Sequence, residues 1–269
     1  MTPPLAGLAF ASACPHLGPG WRLVLGQVRV LTVLRYENPM LKDPPLLTVR
    51  RNFDRVPAAK VAKLRGAQTG HLTDAMNGRG ALAASIKPVD PKTASFAGTA
   101  ITCETGAHDN LAIMGALAFA KSGDVIIASS DGFTGTAVVG DNVALLAKNV
   151  GVVGIVTDGM ARDQDGIVDA GVPLFSAGIT PNSCVRAGPG RIGFPIVTGG
   201  VPVSAGDVIV GDRDGVVVIP AALVDHVIER LNSIRAAEVA LQAKIQAGLT
   251  HLDSIAALIK SDRILFVDE

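Results

Sequence analysis

Three charged residues stand at a spacing that chemistry could use. Asp141 opens the run "DNVALLAKNV", and Arg162 and Asp163 close the run "GVVGIVTDGMARD", with twenty mostly apolar residues between the first acid and the pair. An arginine offers a planar, permanently charged fork suited to a carboxylate or a developing oxyanion. Aspartates are hard oxygen ligands for Mg²⁺ or Mn²⁺, ions that keep several waters and take only one or two carboxylates. The backbone of Gly140, Asp141, Asn142 and Val143 would add the free N–H groups of a helix N-terminus, an anion site strengthened by the helix dipole. Together these groups suit a small 2-oxo acid, its carboxylate on the helix N-terminus and its keto oxygen between a metal on either aspartate and the Arg162 fork. Taken alone, the same residues also describe an N-capping aspartate and a surface Arg-Asp pair in a turn.

The elements that must position them follow from hydrophobic patterning. "DVIIASS" is a continuous apolar run entered by a Gly-Asp turn, which reads as a buried strand. A glycine-rich loop, "DGFTGTAVVG", follows it. "DNVALLAKNV" opens on two good N-capping residue types and ends at Gly151, so a helix is expected there. Ten helical residues descend about 15 Å, and the strand "VVGIVT" climbs back at about 3.3 Å per residue. The helix N-terminus and the loop "DGMARD" then emerge together at the carboxyl edge of the sheet, where open α/β sheets place ligands.

The rest of the chain fits an α/β reading. "VPAAKVAKLRGAQTGHLTDAMN" is expected to be helical with a break near Gly70, "SFAGTAITCE" to be a strand, and "DNLAIMGALAFAKSG" a helix. "VIVGD" and "GVVVIP" read as short strands around an "RDG" turn, with Pro220 ending the run and a long helix expected over 221–247. Asp212 and Asp214 are expected as turn residues and Asp109 as a helix cap. Glu229 and Glu238 are expected on a solvated helix face. The five histidines (16, 71, 108, 226, 251) fall in no zinc-type spacing.

Composition narrows the class of function. Of the 269 residues, 48% are apolar but only 4% aromatic, so aliphatic side chains and glycine must build the interior. Net charge is zero and no basic stretch exceeds "VRRNFDR", which argues against a nucleic-acid surface or an anionic-membrane anchor. The most apolar run, "LAIMGALAFA", is about half of the roughly 20 residues a membrane span needs. The three cysteines are odd in number and far apart, the usage of a reduced, cytoplasmic protein. Residues 1–39 differ in composition, holding the only Trp (Trp21) and the only Tyr (Tyr36), while "LKDPPLL" after Met40 reads as an ordinary domain start. That segment is expected to be an N-terminal extension. Its source is either a start codon assigned upstream of the natural one or a functional arm or targeting peptide. Residues 40–269 then form the domain proper.

The Asp141 to Arg162-Asp163 spacing resembles the signature of the class II pyruvate aldolases that cleave 4-hydroxy-4-methyl-2-oxoglutarate, and of the related RraA proteins. The resemblance continues through "FAGTAIT", "GDVIIAS", "GVPLFSAGITP" and "GGVPVSAGDVIVGDRDGVVVIP", over roughly residues 56–235. It implies a single swivelling β/β/α-type domain assembled as a homotrimer or a hexamer, with sites between subunits. It implies that Asp163 binds the divalent metal, that Arg162 binds substrate and stabilises the enolate, and that Asp141 orients a metal-bound water. The Gly140–Val143 backbone would hold the pyruvyl carboxylate. The implied reaction is retro-aldol cleavage of a 4-hydroxy-2-oxo acid to pyruvate and a second oxo acid. Oxaloacetate decarboxylation is implied as a side activity, because it passes through the same enolate. The family also contains RraA itself, a protein inhibitor of ribonuclease E, so regulation without catalysis is the alternative. Methyl transfer, another activity attached to such sequences, would need a glycine-rich strand–loop motif for S-adenosylmethionine, and no such motif is found.

Overall fold

A computed structural model describes residues 43–267. Residues 1–39, with Trp21 and Tyr36, lie outside the described residues, and so does the expectation placed on them. The chain enters through strand β1 (Leu47–Val49), two short helices, α1 (Ala58–Ala62) and α2 (Thr69–Ala75), and a two-residue strand β2 (Lys87–Pro88), and then lays down β3 (Phe96–Glu104). Helices and strands alternate from there: α3 (Leu111–Ala116), β4 (Asp124–Ser129), β5 (Ala137–Val139), α4 (Asp141–Val150), β6 (Gly154–Thr157), β7 (Met160–Ala161), α5 (Gln164–Ala170) and β8 (Leu174–Ser176). Five short strands follow, β9 (Gly190–Ile192), β10 (Ile196–Thr198), β11 (Val201–Val203), β12 (Val208–Gly211) and β13 (Val216–Ile219), and then helices α6 (Val224–Gln246) and α7 (Asp253–Ile259).

The strands that read as unbroken apolar runs are the ones buried on both faces. Every residue of β4, β6, β12 and β13 is buried, and β3 is buried up to its last residue, Glu104. β3, β4, β6 and β8 run parallel, each step made by a helical crossover. Such a crossover is what parallel pairing requires. β9 and β12 pair antiparallel with β3, and β13 closes on β12. This is the mixed α/β single domain that the resemblance implies.

Four boundaries differ from expectation. The first helical stretch breaks at Gly66, which takes φ +67°, while Gly70 lies inside α2. α2 starts at Thr69 because the Asp212 carboxylate accepts from both the Thr69 N–H (2.8 Å) and its hydroxyl (2.7 Å). Asp212 also accepts from the Asp214 N–H, so it serves as a turn residue and a helix anchor at once. α3 stops at Ala116, well short of the apolar pattern. Ala118 and Phe119 fall into three-residue turns, and Asp124 draws the Lys121 N–H (2.8 Å) toward β4. Asp124 is itself buried and fixed by a two-pronged contact from Arg55. At the other end a 3-10 turn, Ala221–Leu223, precedes α6, and α7 was not foreseen. α6 buries only Val224, Val227 and Leu231, all near its start, and Glu229 and Glu238 are exposed or nearly so. Among the described residues no helix is long and apolar enough to cross a membrane.

Candidate functional site

The two halves of the site are held by a ladder too short to show in the sequence. β5 and β7 pair in parallel, Ala137 opposite Met160 and Val139 opposite Ala161, and the Arg162 N–H donates to the Val139 carbonyl (3.1 Å). Gly140 is the next residue after β5 and Arg162 the next after β7, so the ladder sets them side by side. The segment 178–182 lines the same ladder, through Gly178 and Thr180 at Ala161 and Asn182 at Ala137. The expectation of a plain loop "DGMARD" after β6 is therefore corrected. A turn and β7 intervene, and β7 pairs inside the stretch read as a glycine-rich loop. Strands of two and three residues carry no readable period.

Gly140, Asp141, Asn142, Val143, Arg162 and Asp163 all line one hollow of about 50 Å³. Gly140 is the N-cap of α4, in ordinary extended backbone (φ −153°), and Asp141 is the first helical residue. Asp141 was expected to be able to cap the helix. Instead its Oδ1 accepts from the neighbouring Asn142 N–H (2.6 Å), while the cap position makes no side-chain bond. The first intrahelical bond runs from Ala144 to Gly140, which leaves the N–H groups of Asp141 and Val143 for a ligand.

Asp163 adopts left-handed backbone (φ 58°, ψ 49°) at the start of α5, and its carboxylate makes no capping bond to that helix. Its Oδ2 lies 3.1 Å from Arg162 Nε, with both side chains about two-fifths exposed (39% and 42%). That ion pair lies on the inner side of the Arg162 fork, away from its two terminal nitrogens. A Cβ at position 140 would stand 2.8 Å from Asp163 Oδ2, and one at Gly166 would stand 2.6 Å from Asp141 Cβ. Two glycines thus let both acids close onto the opposite backbone.

The donor set bears on a metal. Among the described residues no three His, Cys, Asp or Glu side chains gather at one point, which does not fit a tight structural zinc site. Asp163, over the glycine cradle of residue 140, and Asp141 on the same hollow supply the one or two carboxylates that a hydrated Mg²⁺ or Mn²⁺ uses.

Among the lining residues missed by sequence reasoning are Asn110, Cys184 and Arg186. They come from a helix start and a loop far along the chain, with no spacing relation to Asp141. The quoted family text stops at Pro181, just before Cys184 and Arg186, and Asn110 falls between "FAGTAIT" and "GDVIIAS". Burial raises the Cys184 thiol above its ordinary pKa; its own backbone contact and the nearby Arg186 and Arg162 pull the other way. Asp109 was expected to cap the helix; Asn110 holds the cap position, and Asp109 just before it accepts from the Leu111 N–H (2.7 Å). A larger hollow of about 540 Å³ lies elsewhere, beside Arg65, Lys92 and Phe96, and no carboxylate lines it.

Residues 69–218 match the family model described as RraA-like, Aldolase/RraA. A relative from Halalkalibacterium halodurans, provisionally named a 4-hydroxy-4-methyl-2-oxoglutarate aldolase, is 35% identical over 69% of this chain and 88% of its own. One of the same provisional name from Aromatoleum aromaticum is 30% identical over 58% of this chain and 98% of its own. Among solved structures, an uncharacterised protein from Pseudomonas syringae superposes with a TM-score of 0.65 at 27% identity, covering 74% of this chain and 97% of that one. The RNA-processing inhibitor RraA from Thermus thermophilis superposes at 0.52 and 28% identity, covering 57% and 93%.

Proposed function

Because the chain belongs to the Aldolase/RraA family, we propose that it is a metal-dependent carbon–carbon lyase. Its substrate would be a 4-hydroxy-2-oxo acid of the 4-hydroxy-4-methyl-2-oxoglutarate type, cleaved to pyruvate and a second oxo acid. The observation that carries this reading is the convergence of the α4 N-terminus, the Arg162 fork and the Asp163 carboxylate on one hollow. The Asp141 and Val143 N–H groups bind the pyruvyl carboxylate. The terminal nitrogens of Arg162 bind the keto oxygen. The proton of the C4 hydroxyl passes to water, and the O–H electrons form the new carbonyl. The C3–C4 pair becomes the C2–C3 double bond and the carbonyl pair moves onto the keto oxygen, giving an enolate that takes a proton back at C3 to leave pyruvate. Arg162 meets that charge as it forms, which is where a fixed donor has its largest effect. Asp141, bonded only to a neighbouring N–H, orients the water that carries the proton. A divalent cation held by Asp163 would supply Lewis-acid polarisation of the keto group. Oxaloacetate would lose CO₂ through the same enolate, so decarboxylation is an expected side activity.

The test is a coupled pyruvate assay with a panel of 4-hydroxy-2-oxo acids and oxaloacetate, run with and without Mg²⁺. Pyruvate from at least one aldol substrate is expected. None from any substrate would overturn the lyase reading and favour the alternative of an RraA-type regulator of ribonuclease E, for which the likeness to the Thermus inhibitor is the supporting observation.

The small, open hollow and the apolar side chains exposed on the elements carrying it support a trimer or hexamer closing the site between copies. These are Leu145 and Leu146 on α4, Val168 on α5, and Ile179 and Val185 beyond. Sedimentation equilibrium should read at least three protomer masses, and a monomer would sink that assembly.

A further inference from the structure

We propose that Arg186 is the residue that reads a second, distal carboxylate on the substrate, and so sets a preference for dicarboxylic over monocarboxylic 4-hydroxy-2-oxo acids. The inference rests on the lyase reading and adds a specificity residue to it.

The loop that carries Arg186 is clamped on both sides. Before it, the Asn110 N–H donates to the Val185 carbonyl (3.1 Å) and the Val185 N–H to the His108 carbonyl (2.9 Å). After it, the Asp109 carboxylate accepts from the Ala187 N–H (2.6 Å) and the Gly188 N–H (2.9 Å). The side chain is aimed as well as its backbone. Asn110 is buried, 5% exposed; its amide NH₂ donates to the Val138 carbonyl (3.2 Å) in β5, and its Oδ1 accepts from Arg186 Nε (3.2 Å). One buried amide therefore ties the guanidinium to β5, the strand that leads into Gly140.

Charge bookkeeping supplies the reason for a ligand. Arg162 is paired with Asp163, whereas Arg186 makes no ion pair among the described residues although it lines the same hollow. Its inner nitrogen is spent on Asn110, and its two terminal nitrogens form a free fork of the geometry that takes a carboxylate with two parallel bonds. The pyruvyl carboxylate already has the α4 N-terminus and the keto oxygen already has Arg162. A substrate with one carboxylate would leave the Arg186 fork unused, and a substrate with two would fill it.

The experiment uses the full chain and two substrates matched except at the far end: 4-hydroxy-4-methyl-2-oxoglutarate, and 4-hydroxy-4-methyl-2-oxopentanoate, which carries a methyl in place of the distal carboxylate. The readout is the ratio of their kcat/KM values, in parent, Arg186→Lys and Arg186→Gln, with thermal melts to show that each variant folds. The parent is expected to favour the dicarboxylate. Arg186→Gln should shrink that ratio by about 10- to 100-fold, mostly through KM, the scale of losing a charge-assisted bidentate contact. Arg186→Lys should fall between, because it keeps the charge and loses the fork. A parent that cleaves both substrates, with a ratio unchanged in both variants, would overturn the role of Arg186 and leave the lyase reading standing. A parent that cleaves neither would overturn both.

Discussion

Arg162→Lys is expected to lower kcat for both aldol cleavage and oxaloacetate decarboxylation by about 10²–10³, equivalent to about 3–4 kcal/mol, the typical loss of one oxyanion donor. The effect should be as large on kcat/KM as on kcat, because an interaction made mainly in the transition state lowers both. Lysine keeps the charge, so the expected loss measures geometry. Arg162 Nε sits 3.1 Å from Asp163 Oδ2, an ion pair that keeps the fork beside that acid before substrate arrives. A lysine has one nitrogen, which can satisfy Asp163 or the keto oxygen but has no second, rigidly placed donor. Fold stability should change little, within about 0.5 kcal/mol, since the side chain is 39% exposed. Steady-state kinetics on both reactions beside a thermal melt decide the matter. A variant within threefold of parent on both reactions would show Arg162 to be a surface residue of a turn.

Much of the placement of these candidate residues was legible because they sit where two continuous apolar strands, β4 and β6, are joined by an amphipathic helix. Patterning alone brings the N-terminus of α4 and the turn around Arg162 to the same sheet edge. What patterning could not give was the β5–β7 ladder, whose strands of three and two residues are shorter than any hydrophobic period. Nor could it give Arg186 and Asn110, joined across seventy-six residues by one hydrogen bond. Helix boundaries slipped for a related reason. α2 begins where Asp212 reaches its Thr69 N–H from a distant hairpin, and α3 ends where Asp124 turns the chain. Both carboxylates were visible in the sequence, but their partners are tertiary. The nature of the residue at 163 was legible and its backbone was not: nothing local marks an aspartate for left-handed φ.

Removing divalent cations with EDTA is expected to abolish pyruvate release from aldol substrates, and Mg²⁺ or Mn²⁺ should restore it. The competing chemistry is a Schiff base, which needs a lysine at the keto carbon. Among the described residues lining the hollow there is no lysine, so the chain itself offers Arg162 and the helix N-terminus as electrophiles and carboxylates for a cation. Asp163→Asn is the sharper form of the same test. Asparagine tolerates the left-handed backbone that residue 163 adopts, so the variant should melt within a few degrees of parent while losing most of its turnover. Asp163→Ala would confound the two effects, because alanine in left-handed backbone costs about 1–2 kcal/mol on its own. The neutral amide also releases Arg162 Nε from its ion pair, so activity alone cannot separate lost metal binding from a loosened fork. Mn²⁺ titration followed by electron paramagnetic resonance can. Parent protein should bind Mn²⁺ and Asp163→Asn should bind it at least about tenfold more weakly, as loss of one of only one or two carboxylate ligands requires. Turnover that survives exhaustive EDTA treatment, or equal Mn²⁺ binding by the two proteins, would remove the cation from Asp163.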